Sequence, residues 1–325
     1  MTVINTNTSS MVARDAINRN DRAMSQAMER LSTGSRINSA KDDAAGLAIA
    51  DRMSAQVSGL NMAVRNANDA ISMLQTIEGA TKEITNMLGR MRELAVQSAS
   101  GTYTNTDRTA LDLEFGALMD EISRIAKNTE WNGQAVLKGN IETALDSDYT
   151  SNDVAETHTI QLGASSGQTM EITINTWVPT VASDNSANDT VGGVVNPLVS
   201  DANDSAFGTA VLYADAANDA VVAADRLVIS SVDGAEIAIT NLDLAINGAA
   251  AERAKYGAYM ARLQHASDNL ANISMNTSAS LSSIADADYA VETTELARTQ
   301  IISQASTAML AQANQVKQTV LALLQ

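Results

Sequence analysis

The sequence predicts a mainly α-helical fold, in which N- and C-terminal segments form a long, coiled-coil-like helical bundle with a β-hairpin and a small β-rich inserted outer domain. Three observations predict it. Residues 47–100 contain no proline, and their apolar side chains recur in alternating steps of four and three. The C-terminal segment repeats apolar residues at intervals of seven. Between residues 130 and 176 the apolar period changes to two, as in a strand.

The segment 47–100 predicts the longest helix. At about 1.5 Å per residue it would span roughly 80 Å, so it needs partner helices to bury its apolar stripe. We expect one partner helix over 235–279, where apolar residues recur with the same spacing. A second, shorter helix should begin at Asp107 and pack antiparallel to the long helix, because the connection between them is short. The stripe of the long helix comprises Met53, Val57, Leu60, Val64, Ala67, Ile71 and Leu74.

Helices are also predicted at both ends of the chain, over 4–33 and 289–325. Their narrow apolar stripes fit either the core of an intramolecular bundle or a surface that self-associates. A pair of such helices packed only on each other is marginal in water, so we expect the termini to become ordered upon self-association. The apolar positions include Ile4, Met11, Met24 and Leu31 at one end, and Ile302, Met309, Val316, Val320 and Leu323 at the other.

Breaks in the helical pattern predict the domain organisation. Gly34 is placed to end the first helix, and Asp42 or Asp43 to cap the next. We predict an inner terminal-helix domain over 1–33 and 289–325, joined by connectors at 34–46 and 280–288 to a helical rod. The rod, with its β-hairpin, comprises 47–176 and 232–279, and the insert comprises 177–231.

The β-structure is predicted from alternation and turn residues. Asn132-Gly133 is a strong turn signal, and alternating apolar residues over 157–162 and 170–175 predict a β-hairpin. The insert 177–231 contains both prolines of the chain and many Asn, Asp, Ser and Thr residues. We therefore expect it to be exposed.

Charge and composition exclude several classes of partner. The net charge is −17, and the stretch 141–231 holds thirteen acids and one base. Such a surface repels nucleic acid and anionic membranes. The chain has no cysteine and no run of 18 apolar residues, which argues against disulfides and membrane insertion. The first residues lack a basic region and an apolar region, so we expect no cleaved secretory signal.

The sequence offers little for catalysis. His158 and His265 have no second ligand at metal-binding spacing, and we interpret both as packing or surface residues. A calcium loop counted from Asp146 would have Ser151 and Thr157 where Gly and Glu are needed. Phosphate-binding and nucleophile motifs are absent, so we predict no catalytic, cofactor or metal site. The alternative, an enzyme carried in the insert, has no paired motif to support it.

Several long strings resemble the signatures of the bacterial flagellins. At the N-terminal end they are residues 31–50 (LSTGSRINSAKDDAAGLAIA), 65–71 (RNANDAI) and 92–99 (RELAVQSA). At the C-terminal end they are residues 309–316 (MLAQANQV) and 320–324 (VLALL). The strings occur in the family's order at both ends of the chain, which makes the resemblance highly specific.

The resemblance covers about 1–176 and 232–325 and implies a structural subunit that self-assembles into the hollow flagellar filament used for swimming. It implies an inner tube formed by the terminal helices, an extracellular location, and export of the unfolded chain through a type III pathway without a cleaved signal. Implied partners are further copies of this chain, sister flagellins, a flagellar secretion chaperone, and the cap and junction proteins. The inner contacts would map onto Ile4, Met11, Met24, Leu31, Ile302, Met309, Val316, Val320 and Leu323.

The resemblance also implies a host receptor and one alternative function. Toll-like receptor 5 recognises some flagellins, and the matching positions here are Arg90, Leu94, Gln97 and Glu114. Gly89 departs from the glutamine common in recognised members. An ion pair between Arg90 and Glu114 is the competing interpretation. The alternative function is a hook–filament junction protein, which shares related terminal helices; the strings 43–50 and 310–315 favour the filament subunit.

Overall fold

The computed structural model describes residues 8–138, 155–178, 222–223 and 226–322. The helices and strands within them are α1 Thr8–Thr33, α2 Ala44–Ala99, α3 Asn105–Asn128, β1 Glu130–Trp131, β2 Gln134–Ala135, β3 Ala155–Gln161, β4 Thr169–Asn175, β5 Val222–Ala223, β6 Arg226–Leu227, α4 Val232–Ala285 and α5 Tyr289–Ala322. The mainly α-helical prediction is confirmed. None of the described helices is both long enough and apolar enough to cross a membrane.

The chain divides into two compact units. The terminal unit comprises Met1–Gly59 and Asn272–Gln325, and the central unit comprises Leu60–Ala271.

In the terminal unit, α1 and α5 pack against each other in antiparallel directions. Asn20 of α1 bonds to Thr299 of α5, and Arg30, further along α1, pairs with Glu292, which comes earlier in α5. Ala27 is buried between them because its small side chain allows a close approach of the helices.

The two connectors of the terminal unit are hydrogen-bonded to each other. Gly34, in the left-handed conformation with φ 72°, ends α1. The backbone N–H of Arg36 donates to the carbonyl of Ala285 at 2.7 Å, and that of Ala287 donates to Gly34 at 2.9 Å. These bonds form an isolated antiparallel bridge that ties the end of α1 to the end of α4.

Both connectors are shorter than the sequence predicted. The prediction of a connector over 280–288 is wrong for most of that range, because α4 continues to Ala285. Ser280 and Ser283 donate their hydroxyls to backbone carbonyls one turn earlier, at 2.9 and 2.7 Å, so these polar residues are satisfied within a helix. The other connector ends at Asp43, whose carboxylate caps α2 by accepting from the N–H of Gly46 at 2.8 Å.

The core of the central unit is formed by one face of each of α2, α3 and α4. Of the predicted stripe of α2, Leu60, Ala67 and Leu74 are buried in this unit, and Val64 and Ile71 are partly buried. Helix α3 begins at Asn105, because Thr104 and Asp107 form a reciprocal capping box ahead of it. The fully buried side chains include Leu74, Ile77, Ile84, Leu88, Met91, Phe115, Met119, Ile122, Tyr256 and Leu263.

The β-structure of the central unit confirms both turn predictions. Asn132 and Gly133, with φ 51° and 78°, join β1 to β2 in the conformation that tight hairpins require. Strands β3 and β4 form the second hairpin, paired from Ala155 with Asn175 to Gln161 with Thr169. One face of β4 covers the helical core, through Met170, Ile172 and Ile174.

The prediction that the insert is exposed from residue 177 is wrong at both described ends. Trp177 and Val178 are buried, and the Trp177 Nε1 donates to the Tyr256 hydroxyl at 3.0 Å. At the other end, Leu227–Ile229 is buried, and the Ile229 N–H donates to the Asp112 carboxylate at 2.8 Å. Both ends therefore belong to the core, because apolar residues and buried hydrogen bonds hold them there. Residues 179–221 of the predicted insert lie outside the described residues.

Candidate assembly interface

An apolar groove lies between α1 and α5 of the terminal unit. Its volume is about 540 Å³, and it is open along one side. Alanines on both helices leave the space, and longer apolar side chains form its walls. The lining residues are Thr8, Val12, Ala13, Ala16, Ile302, Ala305, Ser306 and Met309.

Large apolar side chains on and beside the groove are exposed in the single chain. Val12 and Met309 line the groove, and 70% and 63% of their surfaces are accessible to solvent. Met11 and Ile301, next to lining residues in sequence, are similarly exposed. A cluster of exposed apolar residues on a monomer marks a surface for association.

A polar section follows the groove along the helix pair. Asn20 and Thr299 are buried there, and the Asn20 Nδ2 donates to the Thr299 carbonyl at 2.7 Å. Further along, the Arg30 guanidinium contacts Glu292 at 3.0 Å, and the Glu292 side chain is almost fully covered. These contacts are specific to one alignment of α1 with α5, whereas the walls of the groove are mainly apolar.

Charged residues on the exposed faces of α1 and α5 form ion pairs with residues of the same helix. Arg19 pairs with Asp15 in α1, and Arg298 pairs with Glu295 in α5 at 2.5 Å. The hydrogen bond from Arg298 lowers the pKa of Glu295 and raises that of Arg298. Both pairs are largely exposed, so they support each helix only weakly and do not close the groove.

The structure brings together only part of the predicted set of inner contacts. Met309 and Ile302 line the groove and Met11 is exposed, whereas Met24 and Leu31 are half-buried on α1. Ile4 and Leu323 lie outside the described residues. Val316 and Val320 lie in α5, but their side chains are outside the described part of the structure.

Most of the groove-lining residues were not among the predicted contacts, including Val12, Ala13 and Ala16 of α1, and Ala305 and Ser306 of α5. The steps 302, 305, 306 and 309 follow the spacing of one helix face, so this signal was present. It was overlooked because alanine and serine carry little hydrophobic weight. Their importance here is their small size, which leaves room for a neighbouring side chain.

The positions matched to the receptor-binding flagellins lie in the central unit and do not form one surface. Arg90 donates to Glu114 at 2.8 and 3.0 Å and to Glu93 at 3.0 Å, and the bonds to Glu114 raise the pKa of Arg90. Gln97 is exposed and donates to the Tyr103 hydroxyl at 3.1 Å. Leu94 departs from the expectation: only 1% of its surface is accessible, because it points into the core beside Met91.

The two histidines have different surroundings. The Nε2 of His158 lies 3.7 Å from the Glu156 carboxylate on the same strand, and His265 is exposed on α4. Among the described residues, no group of three or more His, Cys, Asp or Glu side chains is arranged to hold a metal ion. The calcium-loop candidate at Asp146 lies outside the described residues.

These features define a class of protein: a helical subunit whose paired terminal helices carry an open apolar groove suited to contact with further helices. Comparison with known proteins gives the family. The model of the bacterial flagellin N-terminal helical region matches residues 4–142, and that of the C-terminal helical region matches residues 239–324. The chain belongs to the bacterial flagellin family.

Individual relatives agree with the family models. The chain is 38% identical to polar flagellin F of Vibrio parahaemolyticus and 38% identical to flagellin C of Vibrio cholerae, with 99% of each chain covered in both comparisons. It is also similar to the crystal structure of Bacillus cereus flagellin, at 27% identity and a TM-score of 0.41, covering 63% of this chain and 88% of that one.

Family membership establishes the general role. The protein is a structural subunit of the extracellular flagellar filament, and it polymerises with copies of itself. Nothing in the comparisons favours the hook–filament junction protein.

Proposed function

We propose that the groove between α1 and α5 receives the terminal helices of neighbouring subunits in the filament. The observation that carries this proposal is the open apolar groove of about 540 Å³ on a helix pair whose large apolar side chains remain exposed in the single chain. A second subunit is the occupant, because the protein polymerises with itself and the groove lies within the segments matched by the flagellin models.

Burial of this surface would drive assembly. Full burial of an exposed Val, Ile or Met side chain contributes about 1.5–3 kcal/mol. Val12, Ile302 and Met309 are the lining residues with such side chains, and each retains accessible surface that a neighbouring helix would cover. The isolated helix pair lacks this contribution, so α1 and α5 gain stability, and the terminal residues gain order, on polymerisation.

We also propose the further partners that the resemblance to flagellins implies. Sister flagellins would enter the same filament through equivalent helices, and a secretion chaperone would cover the terminal helices before export without a cleaved signal. The cap and junction proteins would contact subunits at the filament ends. Toll-like receptor 5 would bind the exposed side chains of Arg90, Gln97 and Glu114, and Leu94 would support them from the core.

Limited proteolysis with trypsin, applied to monomer and to seeded polymer, tests the proposal. Arg14, Arg19 and Arg22 are exposed on α1, and Arg298 is exposed on α5. We expect cleavage at these sites in the monomer and protection in tubes seen by electron microscopy. Lys82, on the exposed face of a helix packed in the central unit, provides the internal control and should resist in both forms. Termini that resist trypsin in a chain that never polymerises would contradict the proposal.

A further inference from the structure

The most exposed methionines lie in the terminal unit, and the buried ones lie in the central unit. The sequence contains fourteen, of which Met73, Met91, Met119 and Met170 are buried in the core of the central unit. In the terminal unit no described methionine is buried. Four of them are more than half exposed: Met11, Met28, Met275 and Met309, at 64%, 53%, 62% and 63%.

Two of the four exposed methionines lie where association is proposed. Met309 lines the apolar groove, and Met11 precedes the lining residue Val12. Their thioether groups contribute little to the packing of the single chain, because most of each side chain faces solvent. A flexible, polarisable thioether adapts readily to a partner surface, which suits a residue that is buried only on assembly.

From this distribution we infer that the exposed methionines of the terminal unit, Met11, Met28, Met275 and Met309, are oxidation-sensitive sites that control polymerisation of the free subunit. The inference rests on the proposed assembly role of the α1–α5 pair. A peroxide converts the exposed thioethers of the unassembled chain to sulfoxides, and the oxidised chain no longer enters the filament. Methionine sulfoxide reductases of both stereochemical types restore it.

The chemistry balances with hydrogen peroxide as the oxidant. The sulfur lone pair attacks one peroxide oxygen, the O–O bond breaks and an S–O bond forms. The other oxygen leaves as hydroxide, which takes the proton from the oxygen now bound to sulfur, giving the sulfoxide and water. The sulfur loses two electrons and the peroxide gains them. The product carries a polar S–O group, and placing it against the mainly apolar walls of the groove costs free energy, because only the hydroxyls of Thr8 and Ser306 among the lining side chains could donate to it.

Exposure makes the reaction selective. The four buried methionines of the central core are shielded from the oxidant, so the fold of that unit is retained while the terminal unit is modified. Subunits already in the filament would be protected, because the same surface is covered. Oxidative damage would therefore act on free chains rather than on finished filaments.

The experiment uses full-length monomer treated with hydrogen peroxide, peptide mass spectrometry to locate sulfoxides, and seeded polymerisation followed by sedimentation. We expect modification at the four exposed sites of the terminal unit and at Met62, and at least a tenfold rise in the concentration needed for polymerisation, reversed by a mixture of the two reductases. A variant with all four methionines changed to leucine should polymerise equally well before and after peroxide. A Met62→Leu variant, at an exposed site of the central unit, should remain sensitive.

The outcomes separate this inference from the proposed function. Untreated wild type that fails to polymerise would contradict the assembly role itself. Untreated wild type that polymerises, together with oxidised wild type that polymerises equally well, would overturn the inference alone. If the leucine variant does not assemble before treatment, oxidised wild type treated with the reductases provides the test. Restored polymerisation would support reversible methionine oxidation as the cause of inhibition, and unchanged inhibition would contradict it.

Discussion

The side-chain amide of Asn20 donates a hydrogen bond to the backbone carbonyl of Thr299, which lies 279 positions later in the chain. The two atoms are 2.7 Å apart, and both residues are buried. A buried polar residue between packed helices accepts only the alignment that satisfies it. This bond therefore selects one register of α1 against α5, and the register in turn places the walls of the groove opposite each other.

The first prediction concerns this bond. Replacing Asn20 with Ala should weaken the α1–α5 pair by about 1–3 kcal/mol, because a buried amide–carbonyl bond is lost. Hydrogen exchange of the backbone amides around Thr299 should accelerate accordingly. Asn18→Ala, at an exposed position of the same helix, is the matched control and should leave exchange unchanged. Equal exchange in the two variants would show that the bond does not hold the pair together.

The second prediction distinguishes a core leucine from a surface leucine. Leu94→Ala should destabilise the central unit by about 2–5 kcal/mol, because it removes a fully buried side chain and leaves a cavity. Leu113→Ala, at a position that is 71% exposed, should change the free energy of unfolding by less than about 0.5 kcal/mol. Urea unfolding followed by the fluorescence of Trp131 and Trp177, both in this unit, measures both. Similar effects of the two substitutions would contradict the burial of Leu94.

The third prediction uses two glycines. A Cβ atom on Gly46 would overlap the capping carboxylate of Asp43 and lie 2.7 Å from Ile37 Cδ1. Gly46→Ala should therefore disturb the cap of α2, at a cost of about 0.5–2 kcal/mol. Gly79→Ala, in the same helix with open space around it, should stabilise the chain by about 0.5–1 kcal/mol. Thermal unfolding of the monomers would show opposite shifts, and shifts of the same sign would refute this explanation.

The fourth prediction is a dependence on alkaline pH. Burial raises the pKa of the Tyr256 hydroxyl well above its ordinary value of 10.0, although the hydrogen bond from Trp177 acts in the opposite direction. Above pH 10 the unfolded chain releases this proton before the folded chain does, so the free energy of unfolding falls as the pH rises. The stabilisation is fully present below pH 10 and is lost as the pH approaches the folded-state pKa.

Thermal unfolding of wild type and Tyr256→Phe between pH 8 and pH 12 tests this dependence. The wild type should be the more stable at pH 8, because the variant loses the hydrogen bond from Trp177. The difference should shrink above pH 10, where only the wild type has this titrating group. Parallel curves across the whole range would contradict the raised pKa.

Much of the fold could be predicted from the sequence because periodic apolar residues determine it directly. The stripe from Leu60 to Leu74 predicted a buried helix face, and Asn132-Gly133 predicted a hairpin turn. The end of α4 could not be predicted in the same way. Its serines satisfy their hydroxyls on the helix backbone, whereas their composition alone indicates a loop.

The sequence predicted only part of the groove between α1 and α5, and the reason differs from that for α4. The heptad of Ile302 and Met309 was visible in the sequence, but the groove also depends on alanines whose contribution is the space they leave. The buried ends of the insert, at Trp177 and Ile229, are held by partners far away in the chain, Tyr256 and Asp112. Such pairings depend on tertiary packing and leave no local pattern.

The most direct test of the assembly surface is seeded polymerisation of an Ile302→Asp variant, measured by sedimentation and electron microscopy. Ile302 lines the groove, so assembly would bury an unpaired carboxylate there, which is strongly unfavourable. The matched control is Gln304→Glu, which adds the same charge at an exposed position of α5 outside the groove lining. We predict that Ile302→Asp remains monomeric while Gln304→Glu forms long tubes at the wild-type concentration. Long tubes of Ile302→Asp at that concentration would contradict the role assigned to the groove.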